Sequence, residues 1–223
     1  MMLLLSLGSA GAGLLWEHPL PKLLGFSAAA AFLGLAVAYA CSWPGMLGKK
    51  RSGHLLRSSY LLFWPYHLLN YLSLALFRMN RREARFNEVE PGLYLGGRLF
   101  ARDQPALAAL QISSTLDLTA EFAEVPFLRN LPVYFCIPLL DRTAPSPPEL
   151  KAAVQFIRER LPHGSVYVHC ALGHGRSGTV VLAYLFASGK FANLEEALKY
   201  LSAKRPGVKL HPCQLRAVEQ LAL

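Results

Sequence analysis

Residues 165–179 read SVYVHCALGHGRSGT and hold the chain's densest set of reactive and anion-binding groups. Cys170 is followed by Gly173, Gly175, Arg176 and Ser177. Before it stands a short β-branched and aromatic run, Val166, Tyr167 and Val168, with the character of a buried strand. After it, Arg176 and Ser177 open an apolar run over 180–187 that reads as a helix. A glycine loop between a strand and a helix N-terminus gathers backbone N–H groups and the positive end of the helix dipole, which suits a phosphate. In that field a cysteine favours the thiolate, with a pKa of roughly 3.5–7.5 against about 8.5 for a free one. A thiolate beside a bound phosphate is a nucleophile aimed at phosphorus. The planar fork of Arg176 can hold two phosphoryl oxygens at once, and the Ser177 hydroxyl can donate to the sulfur.

His169-Cys170, Gly173 and Arg176-Ser177 resemble the H-C-x-x-G-x-x-R-[ST] signature of the protein tyrosine phosphatases. The surroundings look most like the dual-specificity branch, and the resemblance covers about residues 87–223. A rhodanese-like sulfurtransferase loop would have one residue fewer between cysteine and arginine. The resemblance implies an α/β cysteine-dependent phosphatase fold, with Cys170 and Arg176 catalytic. It implies phosphate-binding or supporting places for His169, Ala171, Leu172, Gly173, His174, Gly175 and Ser177. His169 would orient the loop and favour the thiolate. Phosphoinositide-directed members carry basic residues in the loop. Here Ala171 and Leu172 are neutral and only His174 can be charged, a departure from that pattern. Gln214 matches loosely a glutamine that family members place near the attacking water.

A thiolate and an arginine leave the departing alcohol unprotonated, which calls for a general acid on a movable loop. Asp141, in IPLLDRTAPSPPEL, follows a strand-like run and opens a proline-rich loop. It stands 29 residues before Cys170, where the resemblance implies the acid. Asp117 sits in a strand, and Glu121 and Glu124 lie far upstream of Cys170, so they are weaker candidates. No Cys-x-x-Cys or Cys/His metal spacing occurs, and no metal or cofactor is expected. Cys41 and Cys136 read as buried small hydrophobes. Cys136 or Cys213 could pair reversibly with Cys170, though no spacing compels it.

The elements that must position these groups are strands at 93–95, 112–118, 133–137 and 166–168. They alternate with helical runs at 101–110, 148–161, 180–187, 194–201 and 212–221. That alternation is an α/β sheet with helices on both faces.

The remainder is not an ordinary soluble enzyme. Hydrophobic residues make up 53% of the 223 and charged ones 17%, and the excess lies before Arg78. Residues 1–16 and 23–43 are apolar and uncharged, and their small residues would let two helices pack as a hairpin. Lys49-Lys50-Arg51 follows as a cytoplasmic marker. Residues 55–77 are aromatic-rich and carry Arg57, Pro65, His67 and Asn70, which suits an interfacial or re-entrant segment. Arg78, Arg81, Arg82 and Arg85 form a basic juxtamembrane run over 78–85. The division is therefore a membrane anchor, 1–85, and a dual-specificity phosphatase-like catalytic domain, 86–223.

The net charge of +9, clustered beside hydrophobic stretches, points to an anionic lipid surface and not to nucleic acid. The expected activity is a membrane-anchored, metal-independent hydrolysis of phosphate monoesters through a cysteinyl-phosphate. Its substrates would be phosphoproteins (Tyr or Ser/Thr) or phospholipid headgroups. A catalytic thiolate places the domain in the reducing cytoplasm, on an inner or plasma membrane. The rival is a catalytically silent phosphate-binding scaffold, which would usually have lost Cys170, Arg176 or Asp141.

Overall fold

The computed structural model describes residues 1–80 and 83–221. Arg81 and Arg82, part of the expected basic run, lie outside the described residues.

Helices α1 (Met2–Leu15) and α2 (Pro19–Ala40) pack against each other. Their approach depends on glycine: a Cβ on Gly25 would meet Gly13 Cα at 2.7 Å. α2, with 22 residues, is long and apolar enough to cross a membrane, whereas α1 has 14. Cys41 caps α2 and is exposed rather than buried. A turn bridged between Lys49 and Leu55 leads to α3 (Arg57–Leu62) and α4 (Trp64–Asn80). Pro65, in the first turn of α4, separates the two, because proline starts a helix well and continues one badly.

The sheet has five strands: β1 (Phe86–Glu90), β2 (Leu93–Gly97), β3 (Ile112–Thr119), β4 (Val133–Leu139) and β5 (Ser165–Cys170). Their order is β1-β2-β5-β3-β4. β1 is antiparallel to β2, and the other pairings are parallel. The β1–β2 hairpin turns at Gly92, whose φ of 77° is open to glycine. β1 had no counterpart in the sequence reading, because FNEVE is a short polar edge strand with little apolar signal.

Two short helices follow β2 and β3, α5 (Gln104–Ala108) and α6 (Pro126–Arg129). The long helical run expected at 101–110 is thus a 3₁₀ turn at Ala101–Asp103 followed by one α-helical turn, where Pro105 resets the backbone. The remaining helices are α7 (Pro147–Arg160), α8 (Arg176–Ala187), α9 (Leu194–Lys204) and α10 (Pro212–Leu221). α7 starts at a capping box, with Ser146 and Glu149 side chains exchanging bonds with the backbone. α8 is buried along almost its whole length, with the other three packed around it. Alternate residues of β5 face opposite layers. Val166, Val168 and Cys170 join the core shared with α7 and α8, while Tyr167 joins the smaller core of Leu107, Val125 and Leu128.

A further core binds the N-terminal helices to the catalytic unit. Phe32 and Leu35 of α2, Leu47, Phe63 and Tyr66 pack with Ala120 and Leu140. α4 does not hang on a free tether. Arg78 pairs with Asp103 at 2.8 Å, and His67 Nδ1–H donates to the Glu121 carbonyl at 3.1 Å. The boundary expected at residue 86 therefore divides groups that the fold packs together.

Candidate active site

Parallel strands bring their carboxyl ends, and the loops that follow, to one edge of the sheet. β5 ends at Cys170, β3 leads to Glu121 and β4 to Asp141. β5 lies between β2 and β3, so the cysteine sits at the middle of that edge.

The loop after β5 is shaped by what its carbonyls do. Ala171 O accepts from the Arg98 amide at 2.9 Å. Leu172 O and Gly173 O accept from the buried Arg205 guanidinium at 2.9 and 2.8 Å. With these carbonyls tied outward, the Gly173 N–H turns inward and donates to Cys170 Sγ at 3.3 Å. Gly173 has φ of 77°, and a Cβ there would meet the Gly96 backbone at 2.4 Å. Gly175 is the residue before α8, and a Cβ on it would press on Gln214 Oε1 at 3.2 Å.

Cys170 is 3% exposed. Burial alone would raise its thiol pKa, but Arg176, the Ser177 hydroxyl at 3.2 Å and the Gly173 amide outweigh it and hold the thiol below its ordinary value. Arg176 is 1% exposed and clamped by Glu121 in a bidentate pair at 2.7 and 2.8 Å. Its Nη1 also donates to Leu139 O at 2.8 Å. Its buried Nε–H makes no hydrogen bond among the described residues, a donor left for an incoming oxygen. Asp141 Oδ1 lies 3.3 Å from Arg176 Nη2, and its side chain is 59% exposed. Cys170, the proposed acid Asp141 and the arginine's partner Glu121 thus line one cleft of about 150 Å³.

The flanking residues have individual partners. His169 Nε2 pairs with Glu124 at 2.6 Å, and its Nδ1–H donates to Cys170 O at 3.3 Å. Burial opposes its charge, but Glu124 and Asp117 raise its pKa above the usual histidine value. His174 pairs with Glu83 at 2.8 Å, so its Nε2 is already engaged. Gln214 donates to Thr143 O at 2.9 Å and so braces the loop of Asp141. Cys136 is buried as expected, and burial beside Asp117 pushes its thiol far up, which makes it a poor redox partner.

Four supports take roles that the sequence does not show. Glu121 was weighed only as an acid, yet it clamps the arginine. Lys49, fully buried, donates to Asp117 Oδ2 at 2.7 Å, to Thr119 Oγ1 at 3.1 Å and to the Phe122 carbonyl. Arg205 holds the loop carbonyls. α4 supplies Asn70, Ser73 and Leu74 to the cleft wall. Asp117, Glu124 and His169 lie close enough to hold a metal ion, but the Lys49 ammonium already occupies the cation's place on Asp117.

A thiol-bearing anion loop at the mouth of a central parallel strand, facing a clamped arginine, defines an α/β phosphatase of the cysteine-dependent kind. Residues 93–221 match the family described as "Dual specificity phosphatase, catalytic domain". Phosphatidylglycerophosphate phosphatase PTPMT2 of Arabidopsis thaliana is 31% identical over 168 residues, spanning 73% of this chain and 72% of the relative. That stretch is longer than the family match, so the likeness runs into the segment that holds α4. Dual specificity protein phosphatase 22 of Homo sapiens is 34% identical over 121 residues, 53% of this chain and 64% of the relative. Among solved structures, Tk-PTP in its active form is 28% identical with a TM-score of 0.55, covering 62% of this chain and 96% of that one. The chain belongs to the dual-specificity phosphatase branch of the protein tyrosine phosphatase superfamily and is a phosphoric monoester hydrolase of that type.

Proposed function

We propose that this chain is a membrane-anchored phosphatase that removes a terminal phosphate from a phospholipid headgroup through a cysteinyl-phosphate. Cys170 attacks phosphorus, and Arg176 with the loop amides holds the three equatorial oxygens. Asp141 protonates the leaving alcohol and then takes a proton from the water that hydrolyses the intermediate. His169, Ala171, Leu172, Gly173, His174, Gly175 and Ser177 shape or bind around that phosphate. The single observation that carries the chemistry is Cys170 Sγ accepting from Ser177 and Gly173 beside a buried arginine whose Nε–H is unpaired among the described residues.

The lipid reading draws on α4. Its inward residues line the cleft, while Leu68, Leu69, Leu72, Leu76 and Met79 make an exposed apolar stripe on the other side. Such a helix suits the plane of a membrane interface and would bring the cleft to the headgroups. The relative that hydrolyses phosphatidylglycerophosphate supports the same substrate class. α1 and α2 anchor the chain, and the reduced thiolate and the exposed Lys50-Arg51 pair favour a cytoplasmic catalytic unit.

The test is phosphate release by the full chain in lipid nanodiscs from a panel of phospholipid monoesters and phosphopeptides. Release from the lipids, loss of it in Cys170→Ser, inhibition by vanadate and indifference to EDTA are expected. Preference for phosphopeptides overturns the lipid assignment, and full turnover by Cys170→Ser overturns the mechanism.

A further inference from the structure

Beside the catalytic cleft lies a second cavity, of about 550 Å³, enclosed by α1, α2, α4 and the loop of Asp141. Asn70 and Asp141 line both spaces, so the two adjoin at the point where a leaving alcohol would emerge. The walls of the second cavity include Met2, Ala36, Tyr39 and Tyr66 and are mostly apolar. Tyr66 is 6% exposed, and its hydroxyl interacts with that of Tyr39 on the same wall without a hydrogen bond of full geometry among the described residues. A buried hydroxyl so loosely partnered is stabilised by a ligand that supplies an acceptor. Met1 and Leu3, at the rim, are largely exposed, as are the outward faces of both hairpin helices. The family match begins at residue 93, so most of this wall belongs to the chain's own N-terminal segment.

We propose that this cavity is the subsite for the hydrocarbon portion of the leaving alcohol. The phosphate sits on the Cys170 loop, the alcohol carbon passes Asp141 and Asn70, and an alkyl or acyl chain lies against Ala36 and Met2. The Tyr66 hydroxyl donates to an ester carbonyl near the head of that chain. A long apolar group entering from the rim stays in contact with the hairpin helices throughout, so the substrate need not leave the bilayer completely. The inference rests on hydrolysis at Cys170 and adds a determinant of which alcohol is released.

The test uses the full chain in detergent micelles with linear alkyl monophosphates of four to twelve carbons. Burying a methylene is worth at most about fourfold, so kcat/KM should climb steeply with length until the cavity fills. Ala36→Trp should lower the ratio of dodecyl to butyl kcat/KM at least tenfold. Leu33→Trp, on the exposed face of α2, should keep the wild-type ratio. Partitioning into the micelle is common to all three proteins and cancels in the comparison. Tyr66→Phe should lower kcat/KM for an acyl-glycerol phosphate more than for an alkyl phosphate of equal length. An unchanged ratio in Ala36→Trp, with Cys170-dependent turnover intact, overturns the subsite and leaves the phosphatase reading standing. Turnover that survives Cys170→Ser overturns the phosphatase reading itself. Should Ala36→Trp fail to fold, a diazirine-bearing alkyl phosphate is photolysed on Cys170→Ser. Label on the peptides of Met2, Ala36, Tyr39 or Tyr66, displaced by dodecyl phosphate, upholds the subsite, and label elsewhere overturns it.

Discussion

Ser177 and Gly173 donate to Cys170 Sγ while Arg176 stands beside it, and together they outweigh burial to hold the thiol pKa down. The thiolate is the reactive form, so kcat/KM should rise with pH through the Cys170 pKa and level above it. Ser177→Ala removes one donor to the sulfur, the thiol becomes harder to ionise, and this acid limb should move to higher pH. A pH–rate profile on a soluble aryl phosphate reads the shift, and an unmoved limb would show that the Ser177 bond does not tune the nucleophile. Asp141 is the exposed counterpart, 3.3 Å from Arg176 and on a proline-rich loop. Asp141→Asn should lower kcat by roughly 10²–10⁴ for an alkyl phosphate, the range for a positioned acid. The loss should shrink for a phosphate with a very acidic leaving group, and equal losses would mark Asp141 as structural. Both residues were legible because a short motif and a loop position carried them. Glu121 was not. Its value lies in a bidentate pair with a residue 55 positions away, which no local spacing encodes.

At the scale of elements, β3 shows how one strand end serves two ends of the chain. Asp117 is paired in register with His169 on β5, and its carboxylate would be a buried charge without Lys49. Burial raises the Asp117 pKa and Lys49 and His169 reverse that, holding the carboxylate well below its usual range. The turn at residues 49–55 thus inserts a cation beneath the phosphate loop. Breaking a buried pair by removing one partner costs about 3–5 kcal/mol, because the other charge stays buried. Lys49→Met should therefore lower thermal stability strongly, and Asp117→Asn added to it should recover part of the loss. A double-mutant cycle by thermal unfolding in micelles measures the coupling, and simple additivity would show that the pair is not coupled. The sequence announced the sheet strands and the long helices through periodicity. It read Lys49 as a topogenic charge, because a lysine beside an apolar hairpin has that meaning far more often than a buried structural one. β1 and α6 were obscured for the opposite reason, being too short to form a period, whereas the helix expected at 101–110 was right in kind and too long.

At the scale of the whole molecule, the N-terminal segment is part of the catalytic unit's construction. α2 packs through Phe32 and Leu35 onto Ala120 and Leu140, the neighbours of Glu121 and Asp141. His67 is held by Ser59 at 2.9 Å and donates to the Glu121 carbonyl, so the arginine clamp rests on α4. A chain begun at Phe86 would lack Lys49, His67 and the cleft wall of Asn70, Ser73 and Leu74. A chain begun at Pro44 would keep all of them and lose only the hairpin. Misplacing reacting groups by about 1 Å can cost 10²-fold in rate. The chain begun at Phe86 should lose about that much activity on a soluble aryl phosphate. The chain begun at Pro44, purified in detergent to cover Leu47, Phe63 and Tyr66, should stay within severalfold of the full protein on the same compound. On phospholipid in vesicles both should fall, because the anchor no longer concentrates the enzyme beside its substrate. Kinetics of the three proteins on the two substrates separate support from tethering. Equal soluble-ester activity in all three would reduce the first 85 residues to a leash.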